Sequence, residues 1–206
     1  MNYHIVKYSG PFGFIKPWTA VRDSETFSQQ FLTPSIIEGI EKKLFPDLLN
    51  EDFHGKILKI KRHRLNYQGI DIQQERTWSK GGINIYKDKN QYKTNIGIIN
   101  RGILINPNLY LAFENQSDAE IAMTQTVCLC RNEDLLFPEH QFMADEEILE
   151  KLDGFELLAA TAETGFKVGH NRYNNAVEMF GELKIYGNPI RSRYEDDISY
   201  FGQKCS

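Results

Sequence analysis

Residues Gly165 to Leu183 read GFKVGHNRYNNAVEMFGEL, which sets Gly165, Gly169 and Gly181 among Lys167, His170 and Arg172. Glycine permits positive φ and removes Cβ atoms, so successive backbone amides can approach a phosphate closely. The Lys, His and Arg side chains would add charge and donors. A loop that only turns between two elements, with Asn174 and Asn175 in left-handed positions, fits the same residues. A second cluster, Lys61-Arg62-His63-Arg64, reads either as a solvated strand end or as a phosphate track. A track needs company, and Arg76, Trp78, Lys80, Tyr86 and Tyr92 provide it. Single-stranded nucleic acid is held by cations along its backbone and by aromatic faces that stack bases, at ~1–3 kcal/mol per stacked base. Arg101, after Asn100, is placed to contact phosphate or to form a structural ion pair.

Metal-free RNA cleavage needs a general base to activate a 2′-hydroxyl and cations to stabilise the phosphorane. His63 among arginines, or His170 near Arg172 and Tyr173, has the right chemistry, but no diagnostic spacing accompanies either. No Walker A, GxGxxG, GxSxG, HExxH or EF-hand pattern occurs, so no metal and no cofactor is implied. Cys128, Cys130 and Cys205 are an odd number without a CxxC, and Cys128-Leu129-Cys130 reads as two small buried residues. His4 and His140 lie near apolar stretches and read as structural histidines, and Trp18 as an anchor for the N-terminal segment.

The elements that must position these groups follow from pattern. With 206 residues and 41% hydrophobic content, one ordinary domain with an insertion is expected. No apolar window is long enough for a membrane span, and the polar N-terminus lacks a secretory pattern, so a cytoplasmic location is expected. The net charge is −4, yet it is segregated. Between residues 55 and 106, eleven Lys and Arg face three acids, a local balance of +8, and between 133 and 163, ten acids face Lys151 alone, a balance of −9. That pattern predicts a basic face and an acidic face, the latter turned toward a protein partner, since steering depends on the local field.

His4 to Tyr8 reads as a first strand ended by Ser9-Gly10-Pro11. Ser35 and Glu38 form a capping box for a helix whose apolar face is Ile36, Ile37, Ile40 and Leu44, stopped by Pro46. Lys56 to Tyr67 predicts a long strand that leaves the core in its charged second half. Residues 69–92 have the look of an extended basic hairpin or arm. Ile96 to Ile105 and Leu109 to Phe113 read as a strand pair broken at Asn106-Pro107-Asn108. Ser117 or Asp118 caps a second helix. An acidic helix is expected from Ala144 to Leu152, closed by Gly154. Leu157 to Ala160 fits helix or strand, and Val177 to Tyr186 has strand period. The tail from Arg191 is polar, with Tyr194, Tyr200 and Phe201 available to dock it. This order predicts an α+β class, compatible with a ferredoxin-like β-α-β-β-α-β antiparallel sheet with an insertion after its second strand; other α+β layouts stay open.

The stretch YSGPFGFIKPWTA…TFSQQFLTPSIIEGIEKKLF (Tyr8 to Phe45), the basic arm, IINRGILINPNLYLAF (Ile98 to Phe113) and the glycine-containing loop before the last strand together resemble the RAMP superfamily of CRISPR-associated proteins. Within it the chain is most similar to the fifth Cas family. Thr33-Pro34-Ser35 with Gly39 matches that family's entry to the first helix. Gln68 to Lys93 matches its thumb-like hairpin, and Gly165, Gly169, Gly181 and Arg172 its glycine-rich loop. The loop here is asparagine-rich, and the acidic stretch Glu133 to Glu163 has no counterpart.

The resemblance implies a single domain over 1–190, RRM-like with an inserted basic arm at about 68–93, and a C-terminal tail at 191–206. It implies an RNA-binding subunit of a CRISPR effector complex that caps the 5′ handle of the guide RNA. Its expected partners are that RNA, a filament-forming RAMP backbone subunit and, as a further possible contact, a target nucleic acid. Residue types and resemblance together make Lys61, Arg62, His63, Arg64, Arg76, Trp78, Lys80, Arg101, Lys167, Gly169, His170 and Arg172 the expected RNA contacts. An endoribonuclease that processes guide precursors and a protein-interaction scaffold without an RNA role are the alternatives.

Overall fold

Strand β1, Asn2–Ser9, is covered on both faces: Tyr3 and Ile5 are buried on one side, Val6 and Tyr8 on the other. A strand buried this way belongs in the middle of a sheet. The computed structural model describes residues 2–17, 25–78, 85–94, 96–171 and 176–191. After β1 come the short strands β2 (Phe12–Gly13) and β3 (Glu25–Phe27), helix α1 (Pro34–Leu44), then β4 (Ile60–Asn66) and β5 (Gly69–Trp78). Next are β6 (Ile85–Asp88), β7 (Gln91–Thr94), β8 (Ile96–Ile105), β9 (Asn108–Phe113) and helix α2 (Gln116–Met123). The chain continues with β10 (Val127–Cys128), β11 (Leu135–Asp145), the short α3 (Glu146–Glu150), β12 (Gly154–Ala160), β13 (Phe166–Asn171) and β14 (Val177–Tyr186).

The class is α+β, dominated by antiparallel sheet. Eight strands form the main sheet in the order β10-β11-β1-β9-β4-β12-β14-β13. One of its faces carries the larger core, in which Ile37, Ile40 and Leu44 of α1 and Ala119 and Ala122 of α2 meet Tyr8, Leu65, Leu109, Leu111 and Phe113. The other carries a smaller cluster of Tyr3, Ile5, Ala112, Ala144 and Leu149, the last supplied by α3. A second sheet is built around β8, which pairs with β2, with β3 in parallel, and with β5 along ten residues from Gly69↔Ile105 to Trp78↔Ile96. β6 and β7 form a two-stranded hairpin of their own. Among the described residues, no helix is long and apolar enough to cross a membrane.

Several local expectations need correction. α1 starts where expected, but its N-cap is Thr33 with Pro34 in the first turn, and no side chain caps it. Glu38 instead accepts from the Gly55 amide (2.8 Å) and from Lys42. Asn115 is the N-cap of α2, and Asp118 is taken up by Lys59 and Asn115. β8 and β9 do not pair with each other: Asn106, at φ 45°, and Pro107 turn the chain from one sheet into the other. The expected acidic helix is present but shorter: β11 runs to Asp145, so Ala144 and Asp145 are strand, and Glu146–Glu150 is helical, with Asp145 accepting from the Ile148 amide. β11 was obscured by Pro138, which falls at an irregularity where the register with β1 shifts between Lys7 and Tyr8, a place a strand tolerates a residue without N–H. The last strand of the expected unit, Val177 to Tyr186, lies on the far side of β4 from β1, and β11 holds the place beside β1.

Leu129 is buried, but Cys128 is half-buried and Cys130 exposed, against the expectation for that triplet. His4 is half-buried, and His140 is exposed with its ring 5.6 Å from that of Phe142. Pro189 accepts from the Tyr67 amide and Arg191 donates to the Tyr67 carbonyl, so the last described residues are tied to the end of β4. Trp18, Cys205 and the tail aromatics lie outside the described residues.

Candidate nucleic-acid interface

The Lys61-Arg62-His63-Arg64 run occupies β4, between β9 and β12 in the main sheet, and does not leave the core. Arg62 and Arg64 stand opposite Ala112 and Tyr110 of β9, on the face that α3 partly covers. Across the neighbouring strand is Glu156 of β12, itself fully buried. It accepts from Arg62 Nε (2.9 Å) and Nη2 (3.0 Å), from the His63 amide (3.0 Å) and from Arg64 Nη1. Arg62 also reaches Glu146 of α3, and its Nη2 donates to the Tyr186 hydroxyl. Arg64 has 0% exposure, with its guanidinium carbon 3.6 Å from the centroid of the Tyr186 ring.

The electrostatics follow from that enclosure. Burial alone would raise the Glu156 pKa, but the Arg62 bonds and the Arg64 charge hold it below the usual carboxylate range. The bonds to Glu156 raise the Arg62 pKa, while burial lowers that of Arg64. Burial pushes His63 down to about 4, helped by the two arginines, so its ring is neutral near pH 7. Among the described residues, His63 Nε2 and Arg64 Nε and Nη2 have no hydrogen-bond partner. A phosphate track must face solvent, and a general base must reach its proton; Arg64 and His63 are enclosed. Lys61, at the exposed end, is 3.3 Å from Glu114.

The basic and acidic stretches of the sequence therefore do not form two opposed faces. Much of their charge is spent on each other or on near neighbours: Arg62 with Glu146 and Glu156, Arg64 with Glu156, Lys7 with Glu139, and Lys151 with Glu147. Arg101 sits 3.4 Å from Glu75 and over the Phe14 ring. Arg131, which sequence reading passed over, joins Gln73 and Glu75 of β5 to Asp134 and so ties the β5–β8 ladder to the β10–β11 connection. Its only sequence signal is Asp134, three residues on.

Some of the positive charge that escapes this pairing lies along β5 and the β6–β7 hairpin; the exposed Lys16, Lys43 and Lys56 lie elsewhere. Arg76, Lys87 and Lys89 are exposed, and no carboxylate among the described residues is paired with them. Lys93 pairs with Asp88 across the hairpin. Register sets Tyr86 opposite Lys93 and Lys87 opposite Tyr92, so each face of the hairpin carries one aromatic ring beside one lysine. Tyr86 is 52% and Tyr92 77% exposed. Trp78 ends β5; Lys80 and Arg172 lie outside the described residues.

The glycine-containing segment is strand through Asn171, not loop. β13 pairs with β14 at the edge of the main sheet, with an irregularity between Lys167 and Gly169, where Gly169 takes φ +146°. Lys167 pairs with Glu178, and the half-exposed His170 Nε2 is 3.9 Å from the same carboxylate. Gly169, His170 and Asn171 form one wall of a cleft of about 580 Å³, and the opposite wall is α1 from Pro34 to Lys42. The structure thus brings Gly169 and His170 together at the cleft, places Lys167 beside them on β13, leaves Arg76 and Trp78 on β5, and encloses Arg64 and His63. Among the described residues no group of His, Cys, Asp or Glu is disposed to hold a metal ion.

The chain is similar to several solved structures. One is described as "CRISPR RNA-guided surveillance complex", with a TM-score of 0.48 and 8% identity, the match covering 98% of this chain and 99% of the other. Another, "Crystal structure of Cas protein", has a TM-score of 0.44 and 15% identity, covering 93% and 98%. No family model and no curated protein matches the chain.

Proposed function

We propose that this chain is an RNA-binding subunit of a CRISPR effector complex that caps the 5′ handle of the guide RNA and contacts an adjacent filament-forming backbone subunit. The observation that carries this reading is the β6–β7 hairpin. Two four-residue strands with no core of their own are marginal in water, yet they display Tyr86, Lys87, Lys89, Tyr92 and Lys93 to solvent. Alternating cations and aromatic rings are what a single-stranded ribose-phosphate chain needs. The chain order β1-α1-β4-β9-α2-β11, with β11-β1-β9-β4 side by side, also supports the ferredoxin-like reading of the central half. The handle would run between the main sheet, the β5–β8 ladder with its hairpin, and β13, with Lys61, Arg76, Trp78, Lys80, Arg101, Lys167, Gly169, His170 and Arg172 as its contacts. Arg62, His63 and Arg64 act instead as the framework beneath it.

Binding of fluorescein-labelled repeat RNA, followed by anisotropy from ~50 mM to ~200 mM salt, tests the reading. Affinity should fall steeply with salt and weaken in Lys87→Ala/Lys89→Ala. Absence of salt-dependent binding even at ~50 mM salt would refute it and favour a protein scaffold. Metal-free cleavage of the repeat RNA that is lost in His170→Ala would favour the endoribonuclease instead.

A further inference from the structure

Gly39 stands in the interior of α1, on its exposed side. Glycine is the poorest residue for a helix interior apart from proline, since it loses the most backbone freedom on folding. Nothing inside the fold asks for it: a Cβ built there meets no heavy atom within 4 Å, and its φ is not among the positive ones. Its side of the helix faces the cleft opposite β13. Two more glycines line that cleft from separate segments, Gly55 at φ +74° and Gly169 at φ +146°. Gly39 and Gly169 thus present bare backbone to one space, whereas the Asn171 amide packs over Gly55, 2.6 Å from where its Cβ would stand; Ile57, Val168 and Met179 add apolar surface and Glu38 and His170 hydrogen-bonding groups.

Walls without side chains accept something flat that must come close. The volume suits one small aromatic ligand, and the polar side chains of Ser35, Glu38, Lys42, His170 and Asn171 stand among the apolar ones, donors and acceptors of the kind the edge of a base can use. We infer that this cleft receives one unstacked nucleobase of the bound RNA, lying against α1 at Gly39, with the Glu38 carboxylate and the His170 ring at its edges. The inference rests on the RNA-binding reading and adds to it a base pocket walled by the first helix. Gly39 is a binding residue through the space it leaves.

Gly39→Ala and Gly39→Leu test this, each by thermal unfolding and by anisotropy with a fluorescein-labelled single-stranded RNA of random sequence at ~50 mM salt. Helix propensity predicts that Gly39→Ala raises Tm by about 2 °C. RNA binding should nevertheless weaken, by about tenfold for Gly39→Leu, the loss of one stacked base. If wild type binds RNA and Gly39→Leu binds it equally well, the pocket is overturned and the RNA-binding reading stands. A lower Tm for Gly39→Ala means the fold itself requires the glycine, and this also overturns the pocket. Should wild type fail to bind RNA at all, both fall together.

Discussion

Replacing Glu156 by Gln keeps the shape of the side chain and removes the charge on which β4 depends. In the folded chain this carboxylate accepts from Arg62, from Arg64 and from the His63 amide, and Arg64 is wholly enclosed. Breaking a buried ion pair by deleting one partner costs about 3–5 kcal/mol, because the other charge stays buried without compensation. Arg62 keeps Glu146, which is 44% exposed, so the lower end, about 3 kcal/mol, is expected. For a domain of this size that corresponds to a Tm lower by roughly 10 °C. Urea unfolding of wild type and Glu156→Gln at pH 7 should show the midpoint shifted and the slope unchanged. RNA affinity, measured where both proteins are folded, should stay within about twofold, since the arginines released are framework and not phosphate ligands. A stability loss below about 1 kcal/mol would refute this account of the network. So would a large, specific loss of RNA affinity without a stability change.

Enclosure of His63 predicts an acid-side loss of stability. The unfolded chain takes up a proton near pH 6.5 and the folded chain refuses it until about 4, so stability falls as pH drops through that window, by about 3 kcal/mol in all. Tm measured against pH should show it, and His63→Phe should flatten the profile between those values; an unchanged profile would count against burial of a neutral ring. On the hairpin, Lys87→Ala and Lys89→Ala each remove one cation that neutralises a phosphate, and each should reduce the slope of log affinity against log salt by about 0.7. Tyr86→Ala or Tyr92→Ala should each cost ~1–3 kcal/mol of binding if the ring stacks on a base. Glu147→Lys with Glu150→Lys changes two exposed positions, one of them paired only with the surface Lys151, so stability should move by less than about 0.5 kcal/mol. Co-purification with the filament subunit should weaken if this acidic edge is its docking surface.

Local pattern determined a definite part of this protein. The strand at His4–Tyr8, the helix with Ile37, Ile40 and Leu44 on one face, the start of a second helix near residue 117 and the strand at Val177–Tyr186 are all readable, because period and punctuation act within a few residues. The opposite charges at 55–106 and 133–163 are equally plain. What those charges do was decided only by the tertiary structure. Arg62 and Glu156 are 94 positions apart and meet because β4 and β12 are neighbours, an event no local window contains. The same holds for β11, whose proline is absorbed where its register with β1 shifts, and for β8 and β9, which follow each other along the chain yet belong to different sheets. A strand's identity is written in its own residues, but its neighbours, and so the fate of its charges, are set by pairings that loop closure brings together from distant parts of the chain.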